Sequence, residues 1–164
     1  MNIRAWGKVA LFIAACEVAG LLGSLFTAPE IPTWYATLVK PALNPPGWIF
    51  GPVWTLLYAL MGVAVYIVWE QYAKTKTKKK KRAIAFALWI FAAQLALNTT
   101  WSIVFFGLHN PAWAFADLVA MWLLILATIY LFRPIAKPAA YLLIPYILWV
   151  TFAGYLNLAI WMLN

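Results

Sequence analysis

Five stretches of the chain run for about twenty residues with almost no charge, at 9–26, 48–69, 83–106, 112–132 and 139–163. At about 1.5 Å of rise per residue, each is long enough to cross a hydrocarbon layer ~30 Å thick. None shows the apolar/polar alternation of a barrel strand, and a backbone in lipid must satisfy its own hydrogen bonds, so helices are the remaining solution. The pattern therefore predicts an all-α membrane protein. It is a five-transmembrane-helix bundle, one domain over 1–164, with a long loop (27–44) between the first and second helices. No internal repeat is visible, and an odd number of spans argues against an inverted-repeat transporter.

Composition agrees with the pattern. Hydrophobic residues make up 66% of the chain and charged ones 10%, too little polar surface for a domain facing water. The net charge of +8 raises nucleic acid as a partner, but its placement argues against it. Seven of the twelve basic residues fall in KTKTKKKKR, 74–82, between two apolar spans. That is the setting of a loop beside anionic lipid headgroups. By side, eleven Lys and Arg gather on one face (Arg4, Lys8, the 74–82 run, Arg133, Lys137) and only Lys40 on the other. The positive-inside rule then puts the N-terminus on the cytoplasmic side, and the C-terminus and first loop opposite. The basic start and apolar run at 9–26 imitate a signal peptide, but Glu17 interrupts it and no small-residue cleavage site follows, so it reads as a mature helix. Cys16 is the single cysteine, which excludes a disulfide framework and makes it a small packing residue.

Polar and aromatic residues inside the spans fall on single helix faces. The third span carries Gln94, Asn98, Trp101, Ser102 and Phe105 along one stripe. The second carries Trp54, Tyr58 and Met61, the fifth Tyr146, Trp149, Ala153 and Asn157, and the first Glu17, Gly20 and Ser24. Counted from the outward ends, Trp54 lies at ~9 Å, Asn98 at ~12 Å, Glu17 at ~14 Å and Trp149 at ~21 Å. Most of these groups therefore share the outer half of the bundle, which predicts a pocket beneath the first loop. The plainer alternative is that they bond helix to helix, at about 1 kcal/mol each. Glu17 and Asp117 lean toward function, because lone carboxylates in a membrane face a cavity or a partner; Asp117 also suits the start of its helix. Most other tryptophans sit near span ends as interfacial anchors, and Trp122 reads as lipid-facing packing. His109 reads as a solvated loop residue. No metal-site spacing, nucleophile–base pair or phosphate-binding glycine loop occurs, so no metal and no cofactor is expected.

Prolines shape the pocket. Asn44 reads as an N-cap with Pro45 as the first helical residue. Pro52 and Pro145 each lack the N–H of a helical bond and are expected to bend the second and fifth helices. Residues 33–38 are expected to form one helical turn across the opening, carrying Trp34 and Tyr35.

Three blocks now matter together: WYxxLxKPxxNPPGWxFGPVWTLLY, QLxLNxxWSxxFF and LLIPYxLWVTFA. In this order they resemble the tryptophan-rich sensory protein or translocator protein (TspO/MBR) family over about 150 residues. The resemblance implies a membrane receptor or carrier, commonly a homodimer, that binds porphyrins, sterols or benzodiazepine-type compounds under the first loop. It implies ligand contacts from Trp34, Tyr35, Pro45, Trp54, Tyr58, Asn98, Trp101, Trp149 and Ala153, and the helical face of the fifth span adds Tyr146 to the candidates. Trp54 and Trp149 match tryptophans implicated in light-driven porphyrin breakdown, so they are the catalytic candidates if such an activity occurs. The sterol-recognition pattern of animal members is absent, because no basic residue follows Tyr155. The resemblance makes a porphyrin such as protoporphyrin IX, or a related hydrophobic small molecule, the expected partner, with the lipid bilayer as surroundings and no nucleic acid. The rival readings are porphyrin degradation and a ligand-responsive scaffold. Ala85, Ala92 and Ala96 form a small-residue stripe suited to a homodimer through the third helix.

Overall fold

The computed structural model describes residues 3–164; the side chain of Arg4, one of the eleven cations counted above, lies outside what it describes. Among the described residues there are seven α-helices and no strand. They are α1 (Ile3–Glu30), α2 (Trp34–Thr37), α3 (Phe50–Lys74), α4 (Lys78–Ser102), α5 (Pro111–Phe132), α6 (Lys137–Leu142) and α7 (Ile144–Leu163). Five segments are long and apolar enough to cross a membrane: Ala5–Glu30, Gly47–Lys74, Lys78–Gly107, Pro111–Phe132 and Lys137–Leu163. α1 runs four residues past the expected end at 26, and α2 takes up part of the stretch beyond it. The expected first loop is therefore partly helical, and residues 31–46 make the connection to the next span.

The prolines act differently from expectation at one end. Asn44 is not an N-cap and Pro45 is not helical. Residues 44–46 have no regular secondary structure, and a 3-10 turn, Gly47–Ile49, opens the span with Pro46 before it at φ −54°, ψ 137°. A proline ring disfavours the helical region for the residue before it, here Asn44 and Pro45 in succession, so the Pro-Pro pair delays the helix. Pro52 consequently stands in the first turn of α3, where its missing N–H costs nothing, and the irregularity falls at the junction with the 3-10 turn. In the last span the interruption occurs where Pro145 predicts it. The helix divides at Leu143 into α6 and α7, with Pro145 in the first turn of α7.

That division organises the bundle. α1 packs on α3 and α4, α4 on α5, and α5 on α7. α3 packs on α6, yet makes no comparable contact with α7 beyond the break. The two spans are thus joined at the end near the lysine loop and part at the other end. Met61, Val68, Ala87, Met121, Phe132 and Ala139 fill the joined end, and Cys16 is buried beside them as a packing residue. Gly62 lets α1 come close: a Cβ there would strike the backbone of Ile13.

Candidate functional site

Where α3 and α7 part, a cavity of about 910 Å³ opens beneath the connector. That is at the upper end of the range that holds drug-sized ligands, roughly 300–1,000 Å³. It sits at the end of the bundle opposite the 74–82 lysine run, walled by α1, α3, α4, α7 and the connector. The faces read from helical spacing converge on it. α1 supplies Glu17, Gly20 and Ser24; α3 supplies Trp54 and Tyr58. α4 and the turn after it supply Asn98, Trp101, Ser102 and Phe105; α7 supplies Trp149, Ala153 and Asn157. Tyr35 and Pro45 line it from the connector.

Two of the ten expected contact residues stand elsewhere. Trp34 does not line the cavity: it stacks on His109 at 4.3 Å between ring centroids and packs edge-on against Phe105. Tyr146 is fully buried one layer behind the wall. There it joins a polar chain that closes the floor. Tyr58 donates its hydroxyl proton to Asn98 Oδ1, Asn98 Nδ2 donates to the Tyr146 hydroxyl at 2.9 Å, and Tyr146 donates to Gln94 Oε1 at 2.8 Å. Each of these four side chains is bonded to another of them, as burial in an apolar surrounding requires.

Aromatic packing sets the wall's shape. Trp54 lies between Tyr58 and Tyr146, at 5.5 and 6.3 Å between centroids. Trp149 meets Phe50 edge-on at 5.9 Å, across the gap between α7 and the start of α3. Trp101 stacks on Phe105 at 5.0 Å, and its indole N–H is held by Asn157 Oδ1 at 2.9 Å. Asn157 in turn donates to the Pro111 carbonyl at 2.7 Å, tying α7 to the start of α5. A single π-turn, Ile103–Gly107, ends the third span, a local widening often found at functional sites. It brings both Phe105 and Phe106 inward, and both are buried.

The connector is fastened at both ends. Glu30 Oε2 receives the Thr33 hydroxyl at 3.1 Å and lies 3.0 Å from His109 Nε2, whose ring covers Trp34. His109 is the solvated loop residue expected and is also part of a clasp; its backbone adopts φ 49°, the left-handed region. At the other end the Asn164 side chain bonds both the N–H and the carbonyl of Val39, at 3.0 and 3.1 Å. In the middle, the Tyr35 hydroxyl donates to Asn44 Oδ1 at 3.1 Å. Burial pushes that phenol above its ordinary range and the bond to Asn44 opposes the shift, so Tyr35 stays a neutral donor.

Asp117 is not in this cavity. It lies in a smaller recess of about 410 Å³ with Val104, Leu108 and Trp113 on the α4–α5 side. Trp122 faces the α5–α7 seam, where its N–H is held by Thr151 at 2.8 Å. Lys40, passed over in the sequence as a lone loop cation, does line the cavity.

The TspO/MBR family model matches residues 12–162. The Tryptophan-rich protein TspO of Chlorobaculum tepidum is 43% identical over 156 residues, covering 95% of both chains. The Tryptophan-rich protein TspO of Archaeoglobus fulgidus is 42% identical over 164 residues, covering 100% of this chain and 99% of its own. The Translocator protein of Bos taurus is 37% identical over 159 residues, covering 97% of this chain and 91% of its own. Similarity of this extent takes in all five spans, the connector and every wall of the cavity, and the chain belongs to the TspO/MBR family of multi-pass integral membrane proteins.

Proposed function

We propose that this protein is a membrane receptor or carrier that binds a flat, apolar tetrapyrrole such as protoporphyrin IX in the cavity beneath its connector. The observation that supports it most is the convergence of Trp54, Trp101 and Trp149 with the small Ala153 on one space of about 910 Å³. Indole faces suit a planar macrocycle, each stack being worth about 0.5–1.5 kcal/mol beyond area burial. Ala153 leaves room that a longer side chain would fill. Tyr35 and Pro45 cover the ligand from the connector, and Tyr58 and Asn98 form its polar floor. Trp34 and Tyr146 act from behind, by holding the connector and the floor in place.

The cavity faces away from the cytoplasm in this reading, which the charge asymmetry supports. The protein pairs with a second copy through the outer stripe of α4, where Ala92 and Ala96 are exposed, Ala85 is half-buried and Trp89 is 74% exposed. Small residues let two such helices approach closely, with dispersion as the attraction.

The test is a spectral titration of purified protein with protoporphyrin IX in darkness, repeated under light. Saturable binding in darkness, weakened about tenfold in an Asn98→Ala, Ala153→Leu double variant, is the expected result. Affinity unchanged in that variant would remove the ligand from this cavity. Loss of the bound pigment's absorbance only under illumination would instead favour the degradative reading, with Trp149→Phe as the diagnostic variant.

A further inference from the structure

Among the described residues the cavity wall contains two of formal charge, Glu17 and Lys40, and they stand at opposite ends. Glu17 lies ~20 Å of helical rise before the end of α1, toward the joined end of the bundle. Lys40 stands at the mouth, half-buried in the connector. Its ammonium is 4.7 Å from the centroid of the Tyr35 ring and donates to the Leu38 carbonyl at 3.1 Å. An ammonium carries three N–H donors, so one carbonyl and a ring face hold it at the rim with donor capacity to spare.

No carboxylate among the described residues comes within ion-pair distance of Lys40. The others are committed or remote. Glu30 belongs to the His109 clasp, and Glu70 pairs with Lys8 at 3.6 Å and Lys74 at 2.8 Å at the far end of the bundle. Asp117 faces its own recess. A pre-positioned cation with no ion-pair partner on this rim is a site for an anion.

We propose that Lys40 is a carboxylate-recognition site at the cavity mouth. The occupant is then an amphipathic planar acid, held ring-inward and carboxylate-outward. Attraction at the mouth favours the orientation that brings the carboxylate to Lys40, and the deep end, around Glu17, offers it no cation. The inference rests on the tetrapyrrole reading and adds to it the ligand's acidic edge, since protoporphyrin IX carries two carboxyl groups on one side.

Comparing protoporphyrin IX with its dimethyl ester tests this, because esterification removes the charge and keeps the ring. Both are titrated in darkness into the detergent-solubilised protein. The wild type should prefer the diacid by roughly tenfold, as for a hydrogen bond to a charged group. That preference should fall to about unity in Lys40→Gln, survive in Lys40→Arg and shrink as salt is added. Equal affinity of the wild type for acid and ester, or an undiminished preference in Lys40→Gln, overturns the assignment while leaving tetrapyrrole binding intact. Failure of the wild type to bind either pigment overturns both. Should Lys40→Gln fail to fold, the wild-type preference decides through its salt dependence: indifference to salt overturns the proposal.

Discussion

The ring of Tyr58 lies directly against the backbone of Gly20, so close that a methyl group on the glycine would overlap it. The ring has no simple retreat. Its hydroxyl is bonded to Asn98 on the far side, and Trp54 packs beside it. α1 therefore approaches the cavity only because this position lacks a side chain.

Gly20→Ala should accordingly lower stability by about 1–3 kcal/mol, the usual cost of overpacking, and displace the Tyr58 hydroxyl from Asn98. Gly7→Ala on the same helix is the control. A Cβ there meets nothing within 4 Å, and alanine is the better helix former by about 1 kcal/mol. Thermal unfolding in detergent should place the two variants on opposite sides of the wild type.

Asn98 joins α4 to both α3 and α7 through its two side-chain atoms. Asn98→Leu keeps the volume and removes both bonds, leaving the Tyr58 hydroxyl without its acceptor and the Tyr146 hydroxyl without its donor. The expected cost is about 1–3 kcal/mol. Tyr58→Phe removes one donor and leaves Asn98 bonded to Tyr146, so it should cost less. Equal loss in the two variants, measured by unfolding midpoint, would mean that the floor does not act as a connected chain.

His109 gives a prediction about motion. His109→Ala removes the ring that covers Trp34 and the nitrogen that meets Glu30. Amide exchange over residues 31–38 should quicken by about fivefold or more, with exchange in α5 and α7 unchanged. Exchange that rises equally everywhere would show a general loss of stability in place of a released connector.

The walls of the cavity were readable because a helix repeats every 3.6 residues. Trp54 and Tyr58, or Trp149, Ala153 and Asn157, share a face wherever the helix is placed. The connector offered no such rule. Trp34 and Tyr35 are neighbours in a four-residue helix, about 100° apart around its axis, and either could have pointed inward. Packing decides: Trp34 has Phe105 and His109 to meet, while Tyr35 has Asn44 for its hydroxyl. The π-turn that brings Phe105 and Phe106 together leaves no mark in the local sequence. Asn44 misled for a definite reason. Its cap chemistry was sound in isolation, but two successive prolines override it.

Ala92→Trp tests pairing through α4. Position 92 is exposed within one protomer, so the new side chain costs the monomer's fold little. If two copies meet along this stripe, bulk there forces them apart. The particle mass in mild detergent should then fall to one protein chain, with the thermal midpoint nearly unchanged. A mass equal to the wild type's would move any interface elsewhere.

Pro145 is expected to set the cavity's width. With no N–H to offer the Tyr141 carbonyl, it favours the break at Leu143 that sends α7 away from α3. Pro145→Ala restores the missing donor, and a continuous helix becomes the lower-energy path for the last span. A straighter α7 would carry Trp149 and Ala153 toward Trp54 and narrow the space between them. Thermal stability should hold or rise, by up to about 1 kcal/mol, while tetrapyrrole affinity falls several-fold. The two readouts are expected to move in opposite directions, because the break exists at the expense of a helical hydrogen bond. If affinity and stability fall together, Pro145 serves only packing, and the opening between α3 and α7 has another cause.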